Sequence, residues 1–181
     1  MHDYVSGLRA LVGHRPLILP GAAVLLTDEK GQVLLLARAD TGGWGLPGGL
    51  MEPGECLEDT GRREVLEETG LRVGELRLFG VYSGVDQFYR YPNGDEVHNV
   101  TVVYRAPLPE NSTPQVEGRE NTDWRLFPPD QPPATLIHPE KPILTDYARA
   151  AARLRVQEPL HRGDASRGDR RPRPDMGLRG R

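Results

Sequence analysis

Cysteine is nearly absent from this sequence, because Cys56 is the single one among 181 residues. An internal disulfide is therefore excluded, and the composition fits a reducing compartment, so we expect a cytoplasmic protein. No apolar stretch is long enough to span a membrane. The apolar run near the N-terminus is interrupted by Arg9 and ended by His14, Arg15 and Pro16, which argues against a signal peptide. No membrane partner is expected.

Several common catalytic motifs are missing as well. The five histidines are scattered and form no H-E-x-x-H pair, which disfavours a zinc hydrolase. No G-x-S-x-G segment is present, so the commonest signal of a serine hydrolase is lacking. The glycine-rich loop before residue 55 has neither the lysine of a P-loop nor a G-x-G-x-x-G start of a helix. A dinucleotide-binding fold is therefore unsupported.

The composition that is present suits one folded core. Hydrophobic residues make up 37% and charged residues 27% of the chain, and its length favours a single domain. The net charge of −3 is uneven, because residues 161–181 hold seven arginines and three aspartates, a net of +4, which leaves −7 for the rest. We predict a folded domain over residues 1–158, beginning with a helical extension, and a disordered basic tail over residues 159–181.

Hydrophobic patterning near the N-terminus predicts one helix and two strands. Tyr4–Val12 is predicted to form a short amphipathic helix that packs outside the core. Residues 21–26 and 32–38 are predicted to form two buried strands around the turn Asp28–Gly31. These two strands together have the pattern of a hairpin.

The second half of the chain continues the alternation of strands and helices. Strands are predicted at residues 75–82, 97–105 and 123–127, with a polar, aromatic insertion at residues 83–96. A final helix is predicted from Pro139 to Val156, with four residues facing inward, Ile143, Leu144, Tyr147 and Leu154. Strands interrupted by long helices indicate an α/β domain.

The most informative stretch runs from Gly49 to Leu71, where a glycine-rich loop leads into a helix rich in glutamate. Its pattern is G, five residues, E, seven residues, and then R-E-V-L-E-E-T-G-L. At about 100° per residue, Glu64, Glu67 and Glu68 fall within an arc of about 100° on one helix face. Like charges so placed repel by a few tenths of a kcal/mol even on a solvated helix, so this face is suited to binding a divalent cation.

An R-E-x-x-E-E run by itself is most often a solvated helix face with local ion pairs to neighbouring arginines. The surrounding glycines argue against that alternative. Gly48, Gly49 and Gly54 allow a sharp turn and a close approach of the backbone to a ligand, and Gly70 is placed to end the helix. Gly61 inside the helix costs about 1 kcal/mol relative to alanine, which close packing on a sheet would explain.

This stretch resembles the Nudix box, and every fixed position of that motif is met. Seven fixed residues with a background frequency of roughly 7% each coincide by chance on the order of 1 in 10^8. The resemblance implies the Nudix fold, an α/β/α sandwich with a mixed sheet. It also implies a pyrophosphohydrolase that depends on Mg2+ or Mn2+ and cleaves a nucleoside diphosphate linked to another group, such as ADP-ribose or a nucleotide sugar. A small-molecule nucleotide is the expected partner.

The resemblance also implies roles for residues of the box. Glu64 and Glu68, with the backbone carbonyl of Gly48, are the expected metal ligands. Glu67 is expected to bind a second metal or the attacking water, and Arg63 is expected to orient the acids. These residues carry the predicted hydrolysis.

The general base is left open between two carboxylates. Nudix enzymes differ in which acid deprotonates the water, so Glu67 and Glu120 are both candidates. Glu120 lies seven residues before Phe127, in a stretch that resembles a family segment that often contributes another acid. The alternative for Glu120 is a solvated loop residue.

Substrate contacts are predicted from the aromatic insertion and from one strand end. Tyr89, with Phe88 and Tyr91, offers a surface for stacking a base, or else a cover for the core or a homodimer contact. Asp95 offers acceptors for sugar hydroxyls. Arg38 is placed to bind a phosphate, or to form an ion pair at the end of its strand.

Four other functions are compatible with parts of the sequence. A (d)NTP pyrophosphohydrolase that cleanses the nucleotide pool needs the same box. A Nudix-like binding module without catalysis is disfavoured by the intact box. An isopentenyl diphosphate isomerase needs a cysteine in the pocket, where Cys56 is badly placed. An RNA-decapping enzyme needs more basic surface than the tail supplies, so a nucleic-acid partner is not expected.

Overall fold

The computed structural model describes residues 4–91, 93–116, 118 and 120–157. Within them the helices are α1 (Tyr4–Val12), α2 (Leu57–Thr69) and α3 (Glu140–Gln157). The strands follow in chain order as β1 (Leu17–Thr27), β2 (Val33–Arg38), β3 (Trp44–Gly45), β4 (Gly48–Leu50), β5 (Arg77–Tyr82), β6 (Phe88–Arg90), β7 (Glu96–Pro107) and β8 (Asn121–Phe127). A 3-10 turn, Val85–Gln87, precedes β6. The predicted basic tail lies outside the described residues.

The strands form one mixed sheet. Its central path runs β3-β2-β1-β7-β5, while β4 pairs with β1, β6 with β7 and β8 with β2. β1 and β7 are parallel along eleven residue pairs, from Leu17 opposite Val97 to Thr27 opposite Pro107. The other pairings between these strands are antiparallel. The long parallel pair therefore lies at the centre of the sheet.

Both faces of the sheet are covered, which explains the continuous apolar runs in β1 and β2. Leu25 and Leu35 pack in a cluster with Ile143 and Tyr147 of α3. The alternate residues of the same strands pack in a second cluster with Val65 of α2. Side chains alternate between the faces of a strand, so a strand buried on both sides loses its polar positions. The predicted α/β/α sandwich with a mixed sheet is confirmed.

The predicted hairpin between β1 and β2 is limited to its base. Thr27 pairs with Val33, and the turn is closed by the backbone N–H of Gly31 donating to the carbonyl of Asp28 at 3.0 Å. Beyond this pair the two strands take different partners, β4 and β7 for β1, and β3 and β8 for β2. The glycine-rich loop thus enters the sheet as two short strands that sequence patterning did not predict, and β4 comes to lie beside α2.

The helix α2 packs on β1 through its small and β-branched residues. Gly61 is buried, and a Cβ there would lie 3.2 Å from a side-chain carbon of Val24. A Cβ at this position would require Val24 to shift by a few tenths of an ångström, and this close packing on the sheet fits a glycine inside the helix. Gly70 ends the helix with a φ of 68°, and its N–H donates to the carbonyl of Leu66 at 2.8 Å. The predicted glycine stop is confirmed.

The two terminal helices differ in burial. Ile143, Leu144 and Tyr147 of α3 are buried as predicted, but Leu154 is 56% exposed. The prediction for Leu154 was wrong, because its helix continues beyond the sheet that covers the first turns. α1 has no buried residue and lies outside the core, as predicted. No helix in the described ranges is long and apolar enough to cross a membrane.

Candidate active site

Arg63 links the glycine-rich loop to the acidic face of α2. Its Nε donates to Oε1 of Glu55 at 2.6 Å, and its Nη2 donates to Oε2 of Glu55 at 3.0 Å. Glu55 also accepts hydrogen bonds from the hydroxyl of Thr60 and the backbone N–H of Glu52. The Arg63 guanidinium lowers the pKa of Glu55 to about 2. Glu55 is therefore an anchor for Arg63 that stays ionised at neutral pH.

The rest of the guanidinium faces the acids that sequence reasoning assigned to it. Nη1 of Arg63 donates to Oε1 of Glu64 at 2.7 Å and to Oε2 of Glu67 at 3.1 Å, and Nη2 donates to the carbonyl of Leu50 at 3.0 Å. A planar guanidinium held on one side by a bidentate carboxylate has few rotamers left. Arg63 is thus placed to fix the directions of Glu64 and Glu67.

Glu68 is held between β4 and β8. Its Oε2 accepts from the backbone N–H of Gly48 at 2.9 Å, and its Oε1 accepts from the side-chain amide of Asn121 at 2.9 Å. Burial raises the pKa of Glu68 to about 7, against the effect of these two hydrogen bonds. A buried carboxylate with this pKa favours either a proton or a nearby cation. The structure brings Gly48 next to Glu68, although the ligand role of its carbonyl stays a prediction.

Glycine is required at position 48 of β4 because the strand passes directly against the backbone of β1, and glycine at position 49 leaves room for a carboxylate. A Cβ on Gly49 would collide with the carboxylate of Glu64, and one on Gly48 would collide with β1 at Ala22 and Ala23. The first glycine of the motif therefore leaves room for an acid fifteen residues later. This close approach explains why the loop and the helix occur together in one sequence pattern.

The acids of α2 share a cavity of about 160 Å3 with Glu120. This cavity is here called the acidic cavity. Burial raises the pKa of Glu64, and the charges of Glu67 and Glu120 raise it further. The structure thus brings Glu120 to the predicted acids, at the exposed rim. Across the described ranges, no three acidic, histidine or cysteine side chains already converge in a metal-binding arrangement. Arg63 and Asn121 instead hold several of the carboxylate oxygens.

A second cavity, here called the aromatic cavity, has a volume of about 120 Å3. Its lining includes Arg38, Gly48, Gly49, Tyr89, Tyr91 and Glu140. The rings of Tyr89 and Tyr91 meet edge to face with centroids 4.8 Å apart. The Nε of Arg38 donates to Asp40 at 3.1 Å. Of the predicted substrate contacts, Arg38 and Tyr89 therefore lie in one cavity, while Phe88 packs on His98 instead.

Sequence reasoning missed two polar residues of this cavity. Glu140 is 8% exposed, and within the described chain its Oε2 has no hydrogen-bond partner. Burial raises its pKa to about 7. Gln87 is also buried and joins Pro139 to Thr101 through its amide. An acid in the first turn of a helix is common for electrostatic reasons alone, so no sequence pattern indicates that Glu140 faces a cavity.

Asp95, predicted as a substrate contact, is not brought to the cavity. It does not line the cavity, and its Oδ1 lies 2.7 Å from Nδ1 of His14 and 3.5 Å from Nε of Arg9. The side chain of Asn93 donates to its other oxygen. These partners, with the Asn93 amide, hold the pKa of Asp95 below its usual value, with His14 as the largest cause. The carboxylate is thus engaged with the N-terminal segment.

Comparison with known sequences places this geometry in a family. A family model described as NUDIX domain matches residues 18–147. The chain is 45% identical over 136 residues to a putative 8-oxo-dGTP diphosphatase of Bacillus subtilis (strain 168). The aligned region covers 75% of this chain and 84% of that protein. It is 36% identical over 100 residues to an ADP-ribose pyrophosphatase of Methanocaldococcus jannaschii, which covers 53% of this chain and 56% of that protein.

Solved structures agree with this assignment. The crystal structure of a MutT NUDIX hydrolase from Burkholderia pseudomallei matches with a TM-score of 0.60 and 28% identity, over 71% of this chain and 97% of that chain. The NUDIX domain of Shewanella oneidensis NrtR, complexed with ADP ribose, matches with a TM-score of 0.57 and 23% identity, over 80% of this chain and 97% of that chain. This last likeness shows the fold alone. The chain therefore belongs to the Nudix hydrolase family and is an enzyme that acts on phosphoric anhydride bonds.

Proposed function

We propose that this enzyme is a divalent-metal-dependent pyrophosphohydrolase of small nucleotides that holds the base in the aromatic cavity and the phosphates over the acids of α2. One observation carries the proposal, namely that strand β4 lines the aromatic cavity and also contacts two of the acids of the other cavity. Gly48 and Gly49 line the aromatic cavity, while the N–H of Gly48 bonds to Glu68 and Gly49 packs on Glu64. A nucleotide that fills the aromatic cavity would therefore extend its phosphates toward the carboxylates.

The donor set fits a hard divalent cation. Glu64 and Glu68 offer carboxylate oxygens whose pKa values are raised by burial, so a cation would relieve the cost of keeping both ionised. Carboxylate and carbonyl oxygens are the ligands of Mg2+ and Mn2+. Glu64, Glu68 and the carbonyl of Gly48 would hold the first ion, and Glu67 a second. When bound, the metal neutralises phosphate charge and lowers the pKa of water.

The protein groups supply orientation and proton transfer. Arg63 holds Glu64 and Glu67 in fixed directions through its bonds to both. Glu67 and Glu120 border the acidic cavity, and either carboxylate can take a proton from the attacking water. Arg38 faces the aromatic cavity and can bind a phosphate oxygen by a charge-assisted hydrogen bond.

The aromatic cavity has the features of a base-binding site. Tyr89 and Tyr91 present ring surface, and stacking on an aromatic side chain is worth about 1–3 kcal/mol per base. Glu140 offers a buried carboxyl oxygen without a partner in the described chain, which an N–H or amino group of a base would satisfy. Bases that carry such donors are therefore favoured.

Two classes of nucleotide satisfy this arrangement. The sequence predicts a nucleoside diphosphate linked to a second group, such as ADP-ribose or a nucleotide sugar, and the Methanocaldococcus relative supports it. The second candidate is a (d)NTP of the pool-cleansing kind. Two observations favour that candidate, the 45% identity to a putative 8-oxo-dGTP diphosphatase and the engagement of Asp95, the predicted sugar contact, with His14.

A substrate panel tests the proposal. The purified chain is incubated with Mg2+ or Mn2+ and with ADP-ribose, nucleotide sugars, dGTP and 8-oxo-dGTP, and the products are separated by ion-exchange chromatography. We expect metal-dependent cleavage between two phosphates, abolished by a chelator. Tenfold better hydrolysis of one class than of the other decides between the two candidates. Absence of hydrolysis across the panel with either metal would contradict the proposed function.

A further inference from the structure

The N-terminal helix α1 combines an exposed surface with one partly buried ion pair. No residue of α1 is buried, and Leu11 is 84% exposed. The side chain of Arg9, in contrast, is 12% exposed, and its partner Asp95 is 18% exposed. This helix precedes the matched family region, which begins at residue 18. A long cationic side chain is seldom buried unless its hydrogen bonds are made.

Arg9 joins the N-terminal segment to a segment more than eighty residues later in the sequence. Its Nη1 donates to the carbonyl of Gly13 at 3.1 Å and to the carbonyl of Arg15 at 2.6 Å. Its Nη2 donates to the carbonyl of Glu96, the first residue of β7, at 2.8 Å. Its Nε lies 3.5 Å from Asp95. One guanidinium therefore ties the end of α1 and the linker before β1 to the start of β7.

Two of the atoms that Arg9 contacts, on Asp95 and Glu96, belong to a tight turn that carries an aromatic ring of the cavity. This turn, called the Tyr91 turn, consists of Tyr91 and residues 93–96. The N–H of Tyr91 donates to the carbonyl of Asp95 at 2.9 Å, and the N–H of Gly94 donates to the carbonyl of Tyr91 at 2.9 Å. His14 adds a contact to Asp95 at 2.7 Å. The turn is thus held from outside by the N-terminal segment.

The ring of Tyr91 points from this turn into the aromatic cavity. It lines the cavity and packs edge to face on Tyr89. The side chain is close enough to Arg9 and Arg38 that both cations act on its pKa, which burial raises. The position of this ring therefore depends on the turn, and the turn depends on contacts with α1 and its linker.

We propose that Arg9 is a positioning residue for substrate binding, which holds the Tyr91 turn and thereby keeps the ring of Tyr91 in place in the aromatic cavity. This inference rests on the proposed function, in which the cavity receives the base. A side chain ordered before binding costs nothing further when the ligand arrives, whereas a mobile one must be immobilised at that moment. Arg9 therefore contributes to affinity without touching the substrate or the acids of α2.

Kinetics of two arginine variants test the proposal. Arg9→Met removes all four contacts and keeps the aliphatic length, while Arg15→Met removes a nearby exposed charge whose side chain makes none of these contacts. With the nucleotide that the wild type hydrolyses best, we expect Arg9→Met to raise KM about fivefold or more, with kcat within twofold. Arg15→Met should match the wild type. An unchanged KM in Arg9→Met, or a lower kcat at unchanged KM, would overturn the inference.

Amide hydrogen exchange gives a readout that does not depend on the substrate. The amides of Tyr91 and Gly94 are bonded within the Tyr91 turn. We expect them to exchange at least fivefold faster in Arg9→Met, with buried amides of β1 unchanged. Equal exchange in the variant and the wild type would overturn the inference whatever the substrate is. Failure of the proposed function would be recognised separately, because the wild type would then hydrolyse no nucleotide in the panel.

Discussion

The acidic cavity and the aromatic cavity are assembled in opposite ways. The acidic cavity takes Glu64, Glu67 and Glu68 from one helix and adds Glu120 from the segment before β8. The aromatic cavity draws its lining from β1, β2, β4, the aromatic insertion, β7 and the first turns of α3. Three of the four glutamates of the acidic cavity are therefore encoded in one short stretch of sequence, whereas the aromatic cavity draws on segments from the whole domain.

This contrast separates two kinds of chemistry. A helix fixes the spacing of neighbouring carboxylates, so the charge pattern for the diphosphate is set by local sequence and held by Arg63. The aromatic cavity is set by the insertion and by the position of α3, which can vary while the acids stay in place. We therefore expect losses in the acidic cavity to lower kcat, and losses in the aromatic cavity to raise KM.

The largest effect is expected from the buried acids. Glu64→Gln and Glu68→Gln should each lower kcat by at least ~10^2, because each removes a charge that we propose binds metal, while keeping the shape of the side chain. The Tm without metal should hold or rise, since mutual repulsion is relieved. Steady-state assays and thermal scans measure both quantities. The exposed Glu29→Gln is the matched control, and full activity in both test variants would remove the acids from the mechanism.

The next comparison lies within the acidic cavity, between Glu67 and Glu120. Replacing the carboxylate that takes the proton from water by glutamine should lower kcat by about 10^2 or more, which is the low end for loss of a general base. The other variant should lose less than about tenfold. A pH–rate profile of each variant checks the assignment, because the fall in rate at low pH, where the base is protonated, should disappear only with the variant of the true base. Similar small losses in both would assign the proton transfer elsewhere.

The aromatic cavity should respond in binding rather than in turnover. Tyr89→Ala is expected to raise KM about tenfold, with kcat within about threefold, because a stacking contact is shared by the bound substrate and the transition state. Val85→Ala, in the same insertion but 85% exposed, serves as the control. If Tyr89→Ala lowered kcat and left KM unchanged, the assignment of substrate binding to the aromatic cavity and of turnover to the acidic cavity would be contradicted.

A smaller effect, on stability, is expected from Glu140. The charges of Arg38 and Glu68 both act on the pKa of this carboxyl group. Its folded pKa of about 7 lies above the value of about 4.3 for an exposed glutamate, so the wild type loses stability as pH rises between these values. Glu140→Gln should therefore melt like the wild type near pH 5 and several degrees higher at pH 8. Thermal scans at both pH values measure this. A Tm difference that is the same at both would show that ionisation of Glu140 costs nothing.

The smallest effect is expected outside both cavities. Removal of residues 163–181 should leave Tm and kcat unchanged, because arginine, glycine and proline dominate that segment and offer almost nothing to bury. Thermal scans and assays of the shortened chain check the expectation. A large loss in either quantity would show that the basic segment contributes to one of the two cavities.

Sequence reasoning reached the parts of the molecule that are local. The end of α2 at Gly70 and the two-sided burial of β1 follow from adjacent residues, and both were predicted. β3 and β4 were missed because strands of two and three residues in a loop of glycine and proline have no periodicity. The roles of the acids stay predictions, although the structure brings them together.

The contents of the aromatic cavity depend on tertiary contacts that no local pattern encodes. Glu140 has the sequence context of an ordinary acid in a first helical turn, yet it faces the cavity. Asp95 has the context of an exposed turn acceptor, yet Arg9 of α1 and His14 in the linker after it contact Asp95 from more than eighty residues earlier. Both differences arise where distant segments meet, so one sequence alone could not predict them.

The central parallel pair of strands affects when a new chain can become active. Leu17 of β1 pairs with Val97 of β7, eighty residues further along, and α2 with its acids lies inside that interval. Closing so long a loop has an entropic cost and is slower than local pairing. Asn121, which binds Glu68, follows later still. During synthesis, the carboxylates therefore leave the ribosome before β7 and β8, and we expect the nascent chain to stay inactive until β8 has emerged.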